Sequence, residues 1–174
     1  DAEKNNFEVF MVTPDKDFAQ LVSENIFMYK PARMGNGIEI WGIKEVQQRF
    51  EVTDPKQVID FLGMMGDSVD NIPGLPGVGE KTAKKFINLY GSMENLLKNT
   101  AEIKGKLREK IELNKDKGIL SKKLATIMLD VPIQYDFDDF KLDDPNHKNV
   151  YEIFEELEFA RMKENFKRIF IEDK

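Results

Sequence analysis

The segment that decides the fold is Ile72-Pro-Gly-Leu-Pro-Gly-Val-Gly-Glu-Lys-Thr-Ala-Lys-Lys-Phe86. Its glycines permit positive φ angles and let a ligand approach the main chain closely, and a helix is predicted to begin at Glu80. The first N–H groups of that helix point outward, where they can bind a phosphate. The segment predicts a helix-hairpin-helix, with a glycine-rich turn between two packed helices as the simpler alternative.

Several residues of this hairpin are candidate phosphate contacts. They are two glycines, three lysines and a threonine: Gly77, Gly79, Lys81, Lys84, Lys85 and Thr82. Backbone amides and lysines bind phosphate oxygens and carry no information about base sequence. We therefore expect binding of duplex DNA without sequence preference.

The charges are segregated along the chain. The net charge is −6 overall, from 26 basic and 32 acidic residues. Residues 74–125 carry a net +6, whereas residues 1–73 and 126–174 each carry a net −6. The basic middle is consistent with a nucleic-acid interface, but solvated helix faces would give the same count.

Before the hairpin, the pattern is typical of an α/β fold. The run 7–12 predicts a buried strand, and 26–29 and 38–41 predict two more, with a turn at Gly35-Asn36-Gly37. After the first strand, Thr13 is expected to cap a helix whose first turn contains Pro14. We expect this part, residues 1–50, to be the remnant of a mostly parallel sheet.

From Gly42 onward the apolar spacing becomes helical. Short helices are predicted near 43–50 and 58–65, and an acidic, extended connector over 130–140. Residues 51–174 are expected to form an all-helical domain that contains the helix-hairpin-helix. The remaining predicted helices cover 80–90, 92–98, 105–115, 118–128, 146–158 and 161–170.

Two acidic pairs are candidate metal ligands. Asp15 and Asp17 follow the first predicted strand, where ligand sites collect in open α/β sheets, and Asp67 and Asp70 lie in a glycine-bounded turn. Each pair has a structural alternative, since acids in a first helical turn interact with its dipole and aspartates favour turns.

Together the two pairs suggest hard-cation chemistry. The chain has no cysteine and one histidine, so oxygen ligands are expected for any metal. Mg²⁺, or Mn²⁺ in its place, is usually held by carboxylates and substrate phosphates, and two such ions can stabilise the attacking and leaving oxygens at phosphorus. A two-ion site needs more carboxylates than these four.

Three ungapped runs resemble one family. They are TPDKDFAQLV at 13–22, DFLGMMGDSVDNIPGLPGVGEKTA at 60–83 and LSKKLATI at 120–127. They resemble the C-terminal portion of the 5′-nuclease (5′→3′ exonuclease, flap endonuclease-like) domain of bacterial DNA polymerase I. The resemblance implies metal-site roles for both acidic pairs, and a helix-three-turn-helix over about 55–90 that grips duplex DNA.

The resemblance has further implications. In relatives the hairpin binds K⁺ through backbone carbonyls, which here would be those of Pro73, Leu75 and Val78. The implied substrates are 5′ flaps, nicks and RNA primer junctions, with a polymerase domain in the same full-length chain. We expect that the N-terminal half of the nuclease is missing, and that the chain binds DNA but is inactive by itself.

Two other classes of function stay open. A non-catalytic helix-hairpin-helix module would bind DNA and use its aspartates only as caps, and a protein-interaction domain would use the acidic ends. No apolar run approaches the roughly 20 residues of a membrane span, and the first residues lack signal-peptide character. We therefore expect a cytoplasmic protein, and the resemblance implies association with the bacterial nucleoid.

Overall fold

The computed structural model describes residues 1–31 and 37–172. These residues form two compact units, Asp1–Leu129 and Asp130–Lys174. Positions 35 and 36 of the predicted turn lie outside the described residues. The boundary predicted between residues 50 and 51 falls inside the first unit, at the end of a helix that covers Ile43–Phe50, and as a domain boundary it stays a prediction.

A three-stranded sheet opens the first unit. Strand β1 is Val9–Val12, β2 is Ile26–Pro31 and β3 is Ile38–Trp41, in the spatial order β1-β2-β3. The first two strands are parallel and the second two antiparallel. The prediction of an α/β part followed by a helical part is confirmed.

The prediction that the first strand is buried is wrong. Phe10 is 43% exposed and Val12 is 70% exposed, whereas Met28 in β2 is fully buried. The reason is position: β1 lies at the edge of the described sheet, and β2 lies between two strands.

The predicted helix cap is also wrong by two residues. Thr13 Oγ1 accepts a hydrogen bond from the Asp15 N–H at 3.1 Å, and Asp15 Oδ1 accepts one from the Asp17 N–H at 3.0 Å. Asp15 is therefore the cap, since its carboxylate is a stronger acceptor than a hydroxyl. The element it caps is a 3-10 helix, Lys16–Leu21.

Helix α2, Gln57–Met65, is at the centre of the helical part. Its residues Val58, Phe61 and Met64 are buried, and it packs against α3, Glu80–Tyr90, and α6, Lys115–Ala125. Glycine 63 lets α6 come close, because a Cβ at Gly63 would lie 2.7 Å from the Lys122 Cα. The helices of this unit are α1 Ile43–Phe50, α2 Gln57–Met65, α3 Glu80–Tyr90, α4 Met93–Lys98, α5 Lys106–Leu113 and α6 Lys115–Ala125.

Helix α6 also holds the hairpin in place. The Ser121 hydroxyl accepts a hydrogen bond from the Gly74 N–H at 2.9 Å and donates one to the Lys117 carbonyl at 2.6 Å. Gly118 packs against Leu75, because a Cβ there would lie 2.8 Å from Leu75 Cδ2. Helix α6 thus contacts the hairpin through Gly118 and through Ser121, the second of which lies in the run LSKKLATI.

One buried side chain ties the 3-10 helix to the end of α6. Gln20 donates to the Ala125 carbonyl at 2.9 Å and accepts from the Ile127 N–H at 3.0 Å. This contact spans more than 100 residues and fixes the segment of Asp15 and Asp17 against the helical part.

The second unit begins with an exposed segment over 130–136 that has no regular structure, followed by a 3-10 turn, Phe137–Phe140. Helices α7, His147–Glu156, and α8, Ala160–Lys167, follow, and a π-helical turn continues to Glu172. Phe166 is the buried centre of this unit, with the rings of His147 and Tyr151 packed edge-on against it. Among the described residues, no helix is both long and apolar enough for a membrane span.

Candidate functional site

Three of the four predicted acids converge. One carboxylate oxygen from each of Asp17, Asp67 and Asp70 lies within 4.8 Å of the others. Asp17 comes from the 3-10 helix after β1, and the other two come from the turn after α2. Segments about 50 residues apart therefore supply one cluster of carboxylate oxygens.

The turn that carries Asp67 and Asp70 has a fixed backbone. Asp67 and Ile72 exchange backbone hydrogen bonds of 2.9 and 2.7 Å, and Asp67 Oδ1 accepts from the Val69 N–H at 2.8 Å. Gly66 has φ +76°, and a Cβ there would lie 2.6 Å from the Ile72 carbonyl oxygen. Turn chemistry at Asp67 is therefore present, and it leaves the other carboxylate oxygen for a second partner.

Asp15 stands apart from this cluster. One of its oxygens caps the 3-10 helix, as described above, and its side chain lines the same groove as Asp67 and Asp70. The structure thus separates the first acidic pair into a cap and a member of the cluster.

Asp17 has an unusual electrostatic environment. Burial, and then the negative charge of Asp15, raises the pKa of its carboxyl to about 6. Its Oδ1 is buried and has no hydrogen-bond partner. Buried polar atoms are nearly always satisfied, so an unsatisfied carboxylate oxygen beside two other carboxylates fits a cation site.

Sequence reasoning missed Lys16. Its ammonium pairs with Asp67 Oδ2, and this hydrogen bond holds the pKa of the Asp67 carboxyl below its usual range. The same bond raises the pKa of the Lys16 ammonium. A lysine between two candidate ligands in Asp15-Lys16-Asp17 was the available signal.

A groove of about 520 Å³ runs past the acids. Lys30 and Arg49 line it as well, and the Lys30 Nζ lies 3.4 Å from the centre of the Trp41 ring. Carboxylates and basic side chains thus border the same open space, which suits a metal-bound phosphate.

The hairpin glycines have different conformations. Gly77 has φ +89°, as the prediction of positive φ requires, but Gly79 has φ −99° and extended ψ. Gly79 is the exposed N-cap of α3, and a Cβ there would meet nothing within 4 Å. The fold therefore does not require glycine at 79, and the absence of a side chain there leaves the first amides of α3 open to close approach.

The three lysines of α3 differ in exposure and in pairing. Lys81 and Lys85 are exposed, one turn apart on the same helix. The Lys84 side chain is only 16% exposed and pairs with Glu51 at 3.2 Å and Glu80 at 3.4 Å. Thr82 is half-buried. Lys81 and Lys85 are thus better placed than Lys84 as candidates for phosphate contact.

The carbonyls predicted to bind K⁺ lie in the hairpin turn. The Leu75 carbonyl accepts a hydrogen bond from the Val78 N–H at 3.0 Å. Leu75 and Val78 are buried and Pro73 is exposed. The assignment of these three carbonyls to K⁺ stays a prediction.

Residues 53–148 match the family described as 5′-3′ exonuclease, C-terminal SAM fold. The match covers more than half of the 174 residues, and the chain belongs to this family. It includes α2, the Asp67–Asp70 turn, the hairpin and α3, but not Asp15 or Asp17.

Relatives extend the likeness to nearly the whole chain. DNA polymerase I of Bacillus subtilis is 41% identical over 164 residues, which is 94% of this chain and 18% of the relative. The chain thus spans about a fifth of the length of such relatives.

Solved structures share the fold. T5 5′-exonuclease with bound divalent metal ions (zinc) has a TM-score of 0.61 at 18% identity, covering 70% of this chain and 44% of the other. The catalytic core of Rad2 in complex with DNA substrate has a TM-score of 0.62 at 18% identity, covering 94% of this chain and 58% of the other.

Proposed function

We propose that this chain is part of a divalent-metal-dependent 5′ nuclease that hydrolyses phosphodiester bonds in DNA. The observation that carries the proposal is the convergence of Asp17, Asp67 and Asp70, one of which has an unsatisfied buried oxygen. Structures that share this fold include a nuclease with bound divalent metal ions and a catalytic core with bound DNA.

The residues present fit a divalent ion. Asp17, Asp67 and Asp70 would hold it, and Asp15 adds negative charge beside them. Mg²⁺ or Mn²⁺ suits such carboxylate oxygens better than softer metals do. When bound, the metal would activate water and stabilise charge on the scissile phosphate. A second ion needs further carboxylates, so we propose that residues beyond this cluster complete the site.

The chain's own residues would position the DNA. The exposed Lys81 and Lys85, with the amides near Gly77 and Gly79, would hold phosphates of the duplex without reading bases. The turn after Gly66 leads from the acids into the hairpin, and Asp67 and Pro73 line one shared pocket, so a duplex held by the hairpin would lie near the acids. K⁺ at the carbonyls of the hairpin turn would strengthen phosphate binding there.

The substrates we propose are 5′ flaps, nicks and RNA primer junctions. The relatives are named DNA polymerase I, which supports a polymerase domain in the same full-length chain and a place in replication and repair. Such work would occur at the nucleoid, in the cytoplasm.

A flap-cleavage time course tests the proposal. One sample is this chain alone, and the other is a chimera in which it replaces the aligned 164 residues of the Bacillus subtilis relative. We expect the chimera to cleave in Mg²⁺ and the chain alone not to. Asp70→Asn in the chimera should slow cleavage by about 100-fold or more, with little loss of DNA affinity.

The alternative is a non-catalytic DNA-binding module, which the ordered hairpin would equally support. A folded chimera that binds flap DNA but never cleaves it would favour that alternative. An Asp70→Asn chimera as fast as its parent would contradict the assignment of the acids.

A further inference from the structure

Lys16 already pairs with the Asp67 carboxylate, which the proposed metal would also need. Its ammonium pairs with Asp67 Oδ2, while Asp67 Oδ1 accepts from the Val69 N–H. Both oxygens of Asp67 are thus engaged, and the side chain is only 6% exposed. A cation that binds Asp67 through Oδ2 together with Asp17 and Asp70 must share that oxygen with the ammonium or displace it, and a cation that binds through Oδ1 would still lie beside the ammonium.

Sharing is unfavourable because both partners are positive. A divalent ion within contact distance of the same oxygen would repel a nearby ammonium twice as strongly as a second ammonium would. The repulsion is weakly screened because Asp67 is nearly buried. Displacement is therefore the expected outcome.

The lysine also has a route out. Its side chain is 39% exposed and lines the open groove, so rotation of its flexible stem would return the ammonium to water. The backbone at Lys16 can stay in place, since Asp15 and Asp17 are fixed by the cap hydrogen bond.

We propose that Lys16 is a placeholder cation for the metal site, which neutralises Asp67 when no divalent ion is bound and leaves it when one binds. The inference rests on the proposed metal site. In the metal-free protein the ammonium offsets repulsion among three crowded carboxylates, and its displacement sets the metal concentration at which the site fills.

A titration of the whole chain with Mn²⁺ tests this role. Electron paramagnetic resonance measures the Mn²⁺ that stays free. Lys16→Met removes the ammonium and keeps the chain length. Lys30→Met is the matched control, because Lys30 lines the same groove but stacks on Trp41. We expect Lys16→Met to bind Mn²⁺ about tenfold more tightly and Lys30→Met to change affinity by less than about twofold.

Thermal unfolding gives a second readout. Without metal, Lys16→Met should melt below the parent, and saturating Mn²⁺ should raise its melting temperature by more than it raises that of the parent. Lys16→Gln, which keeps a donor for Asp67 without charge, should show the same direction and guards against a variant that fails to fold.

The outcomes separate this inference from the proposed function. If the parent binds Mn²⁺ and Asp70→Asn abolishes the binding, but Lys16→Met does not tighten it or Lys30→Met tightens it equally, only the placeholder role is overturned. Binding by Lys16→Met alone would support the role. Binding that is insensitive to Asp70→Asn, or no binding by any variant, would overturn both.

Discussion

The acidic cluster and the hairpin are two neighbouring sites with opposite origins. The hairpin is contiguous in sequence, and its shape follows from local glycines, a helix start and the support of α6. The cluster joins Asp17 to the Asp67 turn across about 50 residues, and no local pattern places them together. The hairpin presents N–H groups of the kind that bind anions, and the cluster presents carboxylate oxygens of the kind that bind cations.

The largest expected effect comes from a substitution of Gly66, which begins the turn between the acidic cluster and the hairpin. Gly66→Ala should cost at least about 3 kcal/mol of unfolding free energy, because φ is +76° and the new Cβ would lie 2.6 Å from the Ile72 carbonyl oxygen. Both Mn²⁺ and DNA binding should fall. Urea unfolding measures the loss, with Gly79→Ala as the control, since its Cβ meets nothing within 4 Å. Equal stability of the two variants would contradict the steric argument.

The next effect concerns the hairpin alone. If Lys81 and Lys85 are the phosphate contacts, the logarithm of the DNA association constant should fall with the logarithm of salt with a slope of about −1.8. The double variant Lys81→Met, Lys85→Met should bring the slope close to zero and leave Mn²⁺ binding unchanged.

Lys84→Met is the matched control for those lysines, because Lys84 already pairs with Glu51 and Glu80. Its salt slope should stay close to that of the parent. The contrary result is a slope of about −2.7 in the parent that becomes less negative by the same amount in Lys81→Met, Lys84→Met and Lys85→Met. It would mean that Lys84 contacts DNA as well.

The smallest effect concerns Asp17 in the metal-free protein. Its pKa is raised to about 6 in the folded state, so the group favours folding when protonated, and this contribution is lost as pH rises from about 4 through about 6. With chelator present, Asp17→Asn should stabilise the chain by roughly 0.5–1 kcal/mol at pH 7.5, after discounting for partial exposure. The gain should vanish near pH 4.

Urea unfolding at the two pH values measures this difference. An equal gain in unfolding free energy at the two pH values would show that the charge of the Asp17 carboxylate does not destabilise the metal-free protein. Asp15→Asn is a useful comparison, because Asp15 contributes to the raised pKa of Asp17 but also caps the 3-10 helix.

Local chemistry made much of the fold predictable. Helix α1 spans Ile43–Phe50 and α3 spans Glu80–Tyr90, as their apolar spacing and flanking glycines predict. The hairpin glycine at 77 has the expected positive φ, since few other residues adopt it. Such features depend on neighbours in sequence, and for that reason they could be inferred.

The predictions that were wrong or incomplete depend on tertiary contacts or on competition between two hydrogen-bond acceptors. Thr13 and Asp15 both place a hydrogen-bond acceptor near the start of the 3-10 helix, and the Asp15 carboxylate is the one that caps it. The exposure of β1 depends on its place in the sheet. The Lys16–Asp67 and Lys84–Glu51 pairs depend on contacts across 51 and 33 residues, which spacing alone does not reveal.

The most direct test of the two-site account is a crossed measurement with one variant at each site. Asp70→Asn, at an exposed position, removes the negative charge of one cluster carboxylate and replaces one of its oxygens with NH₂. Gly79→Val blocks approach to the α3 amides, and its Cβ would meet nothing in the fold within 4 Å. Each variant is titrated with Mn²⁺ and, separately, with a short DNA duplex in low salt. We expect Asp70→Asn to lose Mn²⁺ and keep DNA, and Gly79→Val to lose DNA and keep Mn²⁺. Loss of both ligands in either folded variant, or of neither, would contradict the account.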